Sequence, residues 1–287
     1  MGRRESLELK KLLKTAKSIS GKQIREALYC AFIKPKVYPS FLKYGIQGRY
    51  LDKNKSVWDA ATAGSDHIEL SGKQISGIIS YGRDKKGFLQ IYRHLAYPAL
   101  RLKPNLTQGT FTTVKKGADI YVGAALHKNE TVKSVKIGGN LEILTTLDGL
   151  EITRECFPSP SYPAFIERIE VKNVSGKNLD FAVEVRPVRR KSFFRGIRSG
   201  CALTGENGDF RSFEPCYSVE KTLYPNGRCV AYQVFYAVKK GENLNFNAAG
   251  EYKERNKTLT QFSKITLKTD DENINALFSH ALLRGYG

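Results

Sequence analysis

Short segments of alternating apolar and polar residues, separated by turn signals, constrain the fold most strongly. The alternation is clearest at 150–156 and 179–185, whereas VAYQVFYAV at 230–238 is apolar on both faces, as expected of a central strand. Turn signals such as Asp148-Gly149 and Asn226-Gly227 separate these segments, without interleaved helical patterns. The pattern predicts a mainly β chain that forms a large antiparallel two-sheet β-sandwich.

The two ends of the chain show helical periodicity instead. Apolar residues share one face up to Pro35, which predicts a helical extension over 1–36. Near the other end, Thr269 and Glu272 form a capping-box pattern ahead of an apolar stripe at helical spacing. The stripe consists of Ile274, Leu277, Phe278, Ala281 and Leu282. We therefore expect the β-sandwich at 37–268 and a linker with one helix at 269–287.

The stretch FPSPSYPAF at 157–165 breaks the strand pattern. Pro158, Pro160 and Pro163 cannot donate hydrogen bonds to a neighbouring strand. The stretch therefore predicts a stiff corner between two strands. Alternatively, a rigid loop at a sandwich end presents Tyr162 to a ligand or a neighbouring domain.

The chain is strongly basic, with 47 Lys and Arg against 28 Asp and Glu and a net charge of +19. The densest cluster, RPVRRKSFFRGIR at 186–198, fits either a solvated hairpin or a polyanion-binding patch. Its basic residues are Arg186, Arg189, Arg190, Lys191, Arg195 and Arg198. Because nucleic-acid recognition motifs are missing from the sequence, we expect no specific nucleic-acid partner.

No apolar run reaches the ~20 residues of a membrane helix, so we expect no membrane partner. The N-terminal MGRRESLELKKLLKTAKS lacks the apolar core of a signal peptide, which favours a cytoplasmic location. Five widely spaced cysteines favour reduced thiols over a disulfide framework.

A polar cluster early in the β region holds candidates for ligand contact: Trp58, Asp59, Asp66, His67 and Glu69. A tryptophan beside carboxylates suits sugar binding if its ring is exposed, and the alternative is a core or interface tryptophan. His67 and Glu69 share one strand face. Because no third ligand stands at a fixed spacing from them, we predict no metal site.

Arg93 and His94 interrupt the apolar run LQIYRHLAYPALR. Arg93 shares its strand face with Leu89, Ile91 and Leu95, which predicts a partner acid or a neighbouring domain, with a ligand contact as the alternative. The sequence contains no nucleophile elbow, P-loop, zinc-protease or dinucleotide motif, so no cofactor is expected.

Three stretches resemble a known family. ITRECFPSPSYPAFIERIEVKNVSG at 152–176 resembles the strand–FPS–strand–NxSG segment in the N-terminal super-β-sandwich of (α/α)6-barrel, or six-hairpin, glycoside hydrolases and phosphorylases. DENINALFSHALLRG at 271–285 is similar to the linker and first helix that lead into their catalytic barrel. Residues 66–101 resemble the early sandwich strands of glycosidase-like proteins of this group.

The resemblance implies a non-catalytic sandwich domain that braces a helical barrel, in cis or as a separate chain, and shapes one side of its sugar cleft. It implies glycoside hydrolysis or phosphorolysis by inversion for the whole protein. Because the family's catalytic carboxylates lie in the barrel, we expect residues 1–287 alone to be inactive. The residues themselves leave two alternatives open: a stand-alone carbohydrate-binding module, or a basic polyanion-binding protein.

Overall fold

A computed structural model describes residues 49–52, 55–59, 63–100, 110–114, 117–123, 125–127, 129–185, 190–191, 196–214 and 216–286. The helical extension predicted for 1–36 lies outside these residues. The described part of the chain is mainly β, and its strands pair antiparallel throughout.

The largest sheet of the described residues has nine strands. In spatial order they are β1 (Arg49–Asp52), β2 (Lys55–Asp59), β9 (Thr131–Ile137), β10 (Leu141–Leu147), β11 (Leu150–Pro158), β12 (Ala164–Asn173), β18 (Arg228–Lys239), β15 (Ile197–Thr204) and β14 (Arg190–Lys191). A two-residue turn joins β10 to β11, and its Asp148 and Gly149 have φ values of 43° and 85°. Positive φ at both positions is what an Asp-Gly hairpin turn requires, so this predicted turn is confirmed.

Two four-stranded sheets oppose the large one. The first has the strand order β3 (Gly64–Ser71), β4 (Ser76–Arg83), β5 (Leu89–Tyr97) and β6 (Thr110–Val114). The second has the strand order β17 (Ser218–Leu223), β13 (Leu179–Glu184), β7 (Asp119–Val122) and β8 (Ala125–His127). One core joins all three sheets, with Ile79, Leu95 and Val183 packing in the same cluster as Ile143 and Phe165 of the large sheet. The predicted antiparallel sandwich is therefore confirmed, and its second layer consists of two sheets.

The other face of the large sheet is covered near its centre by a small layer. This layer comprises β16 (Asp209–Arg211), β19 (Asn245–Asn247) and helix α1 (Ala248–Phe262). Phe210 and Phe246 of the small sheet pack on Phe157, Ile166 and Val234. Burial from both sides explains why the segment 230–238 is apolar on both faces.

Helix α2 (Glu272–Tyr286) confirms the helix predicted near residue 270. Its N-terminal cap differs from the expected Thr269–Glu272 box. The Asp271 carboxylate accepts hydrogen bonds from the backbone N–H groups of Asn273 (2.8 Å) and Ile274 (3.4 Å), because Asp271 directly precedes the helix and is itself a good N-cap. In the described part of the chain, neither helix has the length and apolar character to span a bilayer.

The proline stretch forms the corner that the sequence predicts. Strand β11 continues to Pro158, and β12 starts at Ala164, so residues 159–163 make the connection. The Ser159 N–H donates to the Ala164 carbonyl at 2.9 Å, which closes the base of the loop.

Candidate functional site

Arg93 lies in the sandwich core and forms an ion pair with Glu167 of β12. Both side chains are fully buried. Of the roles that the sequence left open for Arg93, the structure shows pairing with an acid. The Arg93 guanidinium carbon also lies 5.2 Å from the centre of the Phe235 ring, within the range of a cation–π contact.

A second buried arginine connects Glu167 to another acid. Arg154 Nη1 donates to Glu167 Oε1 at 2.7 Å, and its Nη2 and Nε donate to Glu130 at 2.5 and 3.0 Å. Thr145 adds a hydroxyl bond of 2.9 Å to Glu130. Arg93, Arg154, Glu130 and Glu167 thus form a cluster of two cations and two anions, which we call the core ion cluster.

The pKa values of Glu167 and Arg154 reflect their charged partners in the core ion cluster. Burial alone raises the pKa of the Glu167 carboxyl, but Arg93 and Arg154 outweigh burial and hold that pKa below its usual value. For Arg154, burial lowers the pKa, whereas Glu130 and Glu167 raise it above the usual value. The cluster is buried and charge-balanced and joins two sheets, and Arg93 Nε and Nη1 lie within it without a hydrogen-bond partner among the described residues.

Trp58 also lies in the core, with 1% of its surface exposed. Its register partners are Arg49 on β1 and Val135 on β9. The indole ring is therefore not available to stack on a sugar at the surface. The sequence left a core tryptophan open as the alternative to a sugar-binding one, and the structure shows Trp58 in the core. Asp59 ends β2, and its side chain lies outside the described part of the structure.

His67, Glu69 and His94 lie on the outward face of the first four-stranded sheet. The strand register places Glu69 opposite Ile78, and Ile78 opposite His94, in one transverse row. His67 and Glu69 are exposed, and Glu69 accepts a 2.7 Å hydrogen bond from Ser76. Antiparallel pairing therefore collects three predicted candidates on one face, and their role in binding stays a prediction.

Asp66 differs from its neighbours His67 and Glu69. It is half-buried, and its carboxylate accepts a hydrogen bond from the His67 backbone N–H at 2.7 Å. Its carboxylate Oδ1 also lies 3.8 Å from His67 Nδ1, so the two side chains approach each other although neighbouring strand residues point to opposite faces. Among the described residues, no group of three or more His, Cys, Asp or Glu side chains is arranged to hold a metal ion.

Tyr162 packs against the small layer. Its ring stacks on Phe246 at 4.7 Å between ring centres. The same corner is fixed to α1, because Ser159 Oγ and the Ser161 N–H donate to the Glu251 carboxylate at 2.5 and 3.2 Å. These contacts make the corner a rigid structural joint, and a ligand contact for Tyr162 stays a prediction.

The predicted basic patch is described only in part. Arg186, Arg189 and Arg195 lie outside the described residues. Arg190 and Lys191 form the edge strand β14, which pairs with Ser199 and Arg198 of β15. The Arg198 side chain is exposed, and the backbone register brings Lys191 opposite it.

A polar cavity of about 330 Å³ lies between the outer face of the large sheet and α1. We call it the α1 groove. Its polar lining includes Lys55, Asn140, Glu142, Glu155, Asn256 and Thr260. Leu259 of α1 and Leu283 of α2 form an apolar part of the groove wall. This volume is within the size range of small-ligand sites.

Two carboxylates face each other on the floor of the α1 groove. Glu142 on β10 and Glu155 on β11 are direct cross-strand partners, a pairing that like charges normally disfavour. Lys55 and Lys136 lie 3.9 and 3.8 Å from Glu142. The two carboxylates are thereby matched by two ammonium groups.

Glu155 is held by hydrogen bonds to both of its oxygens. Asn140 Nδ2 donates to Oε1 at 2.9 Å, and the Tyr252 hydroxyl donates to Oε2 at 2.8 Å. Burial, reinforced by Glu155, raises the pKa of Tyr252 to about 12, so the hydroxyl remains a donor at neutral pH. Arg255, almost fully buried, orients Asn140 by donating to its Oδ1 at 3.0 Å.

No sequence motif marks the residues of the α1 groove as a candidate site. A local sequence signal was nevertheless present, because the two-residue Asp148-Gly149 turn joins β10 and β11 in a hairpin that places Glu142 opposite Glu155. The contribution of Tyr252 and Asn256 was not visible, because α1 had not been predicted.

No protein-family model matches the chain, and no curated protein matches it in sequence. Among solved structures, it aligns with a kojibiose phosphorylase from the human microbiome at a TM-score of 0.38 and 8% identity, over 84% of this chain and 38% of that one. It also aligns with a heparinase III at a TM-score of 0.31 and 10% identity, over 76% of this chain and 41% of that one. The chain thus spans less than half of each protein and has weak structural similarity to two carbohydrate-active enzymes.

Proposed function

We propose that the chain is the non-catalytic N-terminal β-sandwich domain of a carbohydrate-active six-hairpin protein. In this role it braces a helical barrel and shapes one side of its sugar cleft. The observation that carries the proposal is the apolar face that α2 leaves exposed. Ile274 and Leu277 are 48% and 54% exposed, whereas Leu283 on the same helix is buried.

An amphipathic helix gains most of its stability from packing its apolar face. Ile274, Leu277 and Ala281 follow i, i+3, i+7 spacing, and all three are exposed. Ile265 and Leu267, in the segment before α2, are also exposed apolar residues. A surface of this kind is suited to a partner with an apolar face of its own.

The kind of partner follows from the resemblance of 271–285 to the linker and first helix of six-hairpin enzymes. Such a helix packs against other helices of the barrel, present in cis or as a separate chain. The carbohydrate would then lie between the barrel and the sandwich. The nucleotide sequence that follows codon 287, together with the adjacent genes, tests this directly: a frame encoding repeated helical hairpins supports the proposal, and its absence from both contradicts it.

Substituting Ile274 and Leu277 with serine is expected to reduce self-association of the 287-residue chain. Each large side chain gains about 1.5–3 kcal/mol when it is fully buried, so the exposed pair favours association in concentrated solution. Sedimentation velocity over a concentration series measures the effect. The melting temperature should remain close to wild type, because neither side chain is buried.

A matched control is Ile79→Ser, which removes an apolar side chain from the core. It should lower the melting temperature sharply. A double variant at Ile274 and Leu277 that melts as early as this control would show that the α2 stripe belongs to the sandwich core, which would contradict the proposal.

We expect the isolated chain to have no glycosidase or phosphorylase turnover. The resemblance places the family's catalytic carboxylates in the barrel, and glycoside hydrolysis depends on carboxyl groups held across the scissile bond. Aryl glycosides and oligosaccharides, each with and without inorganic phosphate, provide the test. Turnover that a single Asp or Glu substitution abolishes would refute a non-catalytic role.

A further inference from the structure

We infer that the α1 groove is a binding site for one residue of a neutral saccharide. The existence of the site is argued from the groove itself. The class of ligand rests on the carbohydrate-active function proposed above.

The groove has a floor whose polar groups are already positioned. Asn140 is buried and bonds at once to Glu155, Asn256 and Arg255, at 2.9, 3.3 and 3.0 Å. Tyr252 holds the other oxygen of Glu155. Because these side chains are fixed before any ligand arrives, little rotamer freedom would be lost on binding.

The chemistry of the lining suits hydroxyl groups. A carboxylate offers about four acceptor positions, and Glu155 uses one on each oxygen within the protein. The remaining positions can accept hydrogen bonds from vicinal hydroxyls. Lys55 and Lys136 can donate to sugar oxygens, and Leu259 offers an apolar contact for ring C–H groups.

The charge balance selects against ionised ligands. Two lysines and two glutamates line the groove, and both lysines lie within 3.9 Å of Glu142. An acidic sugar would have to separate these pairs, and an amino sugar would meet two ammonium groups. A neutral polyhydroxy compound avoids both costs.

Titration of the full 287-residue chain tests the inference, with D-glucose, D-galactose, D-mannose and D-xylose as neutral probes. D-glucuronate and D-glucosamine are the charged comparators. Ligand-observed NMR gives the dissociation constants. We expect at least one neutral sugar to bind, and the charged comparators to bind more weakly.

Two pairs of variants locate the binding. Glu155→Gln should weaken it roughly ten-fold, because a charge-assisted acceptor is lost, whereas Glu254→Gln on the exposed side of α1 should leave it unchanged. Thr260→Val should weaken it as well, whereas Thr258→Val should not. Each threonine hydroxyl bonds to the carbonyl four residues earlier in α1, but only Thr260 lines the groove. The threonine pair therefore keeps the test valid if Glu155→Gln fails to fold.

Three outcomes would overturn the inference: none of the neutral sugars binds, the groove variants bind as tightly as their controls, or glucuronate or glucosamine binds best. The Ile274→Ser and Leu277→Ser variant lies outside the groove and should bind sugar normally. Loss of self-association and loss of sugar binding are therefore separately observable, so the two proposals can fail independently.

Discussion

Replacing Glu167 with glutamine is expected to lower the free energy of unfolding by about 3–5 kcal/mol. Glutamine has nearly the same shape but removes the negative charge that Arg93 and Arg154 share. Two guanidinium groups would then remain in the core, and Glu130, which pairs with Arg154, would be the one acid left in the cluster. Urea denaturation monitored by intrinsic fluorescence measures the change.

Glu170→Gln is the matched control, since Glu170 lies on the same strand and also pairs with two arginines. Its partners Arg168 and Arg228 lie at 2.6 and 3.5 Å, and its side chain is partly exposed. Exposed pairs contribute about 1 kcal/mol or less, so the control should change stability little. Equal effects of the two substitutions would show that the core ion cluster contributes no more than a surface pair.

The same cluster predicts a pH dependence. The pKa of Glu167 lies below its usual value in the folded protein, so the stabilisation is fully present above the unfolded pKa of about 4.3 and is lost as pH falls through the folded value. Wild-type stability should therefore decline in acid more steeply than that of Glu167→Gln. Parallel declines would contradict ionised Glu167 in the folded state.

Replacing Arg255 with methionine is expected to detach α1 from the large sheet, at a cost of about 2–4 kcal/mol. Arg255 is almost fully buried and donates to the Gly139 carbonyl at 2.6 Å and to Asn140 Oδ1 at 3.0 Å. Methionine keeps much of the apolar length but leaves both acceptors without this donor. Hydrogen exchange of the α1 amides should accelerate more than exchange in β11 and β12.

Lys253→Met provides the control within the same helix. Lys253 is exposed, so its replacement should leave both exchange and the melting temperature nearly unchanged. Uniform acceleration throughout the protein in Arg255→Met would mean that α1 unfolds only with the whole domain. In that case Arg255 would stabilise the fold globally and not the docking of one helix.

The strands could be predicted because their information is local. Alternation at period two identified β11 and β13, and the Asp-Gly turn also determined the register of the β10–β11 hairpin. The face of Arg93 followed from the same alternation, which left an acid partner, a neighbouring domain and a ligand contact open, and the structure shows the acid partner. Helix α2 was visible because its apolar stripe and its acidic N-terminal turn lie within one short segment.

Helix α1 could not be recognised in the same way. Its buried residues are Ala248 and Arg255, so a charged side chain occupies a helix position where an amphipathic stripe would carry an apolar one. The one local signal was Asn247, whose side chain accepts from the Gly250 N–H at 2.7 Å as an N-cap. Without α1, neither the α1 groove nor the role of Tyr252 could be inferred.

The sequence by itself determined the mainly β class, the proline corner and the amphipathic α2, because each depends on residues close together in the chain. The tertiary structure decided which acid pairs with Arg93, where the only tryptophan lies, and which carboxylates share a groove. Glu167 is 74 positions from Arg93, and Asn140 is 115 positions from Arg255. Contacts over such separations depend on how sheets and helices pack, and no local pattern encodes that choice.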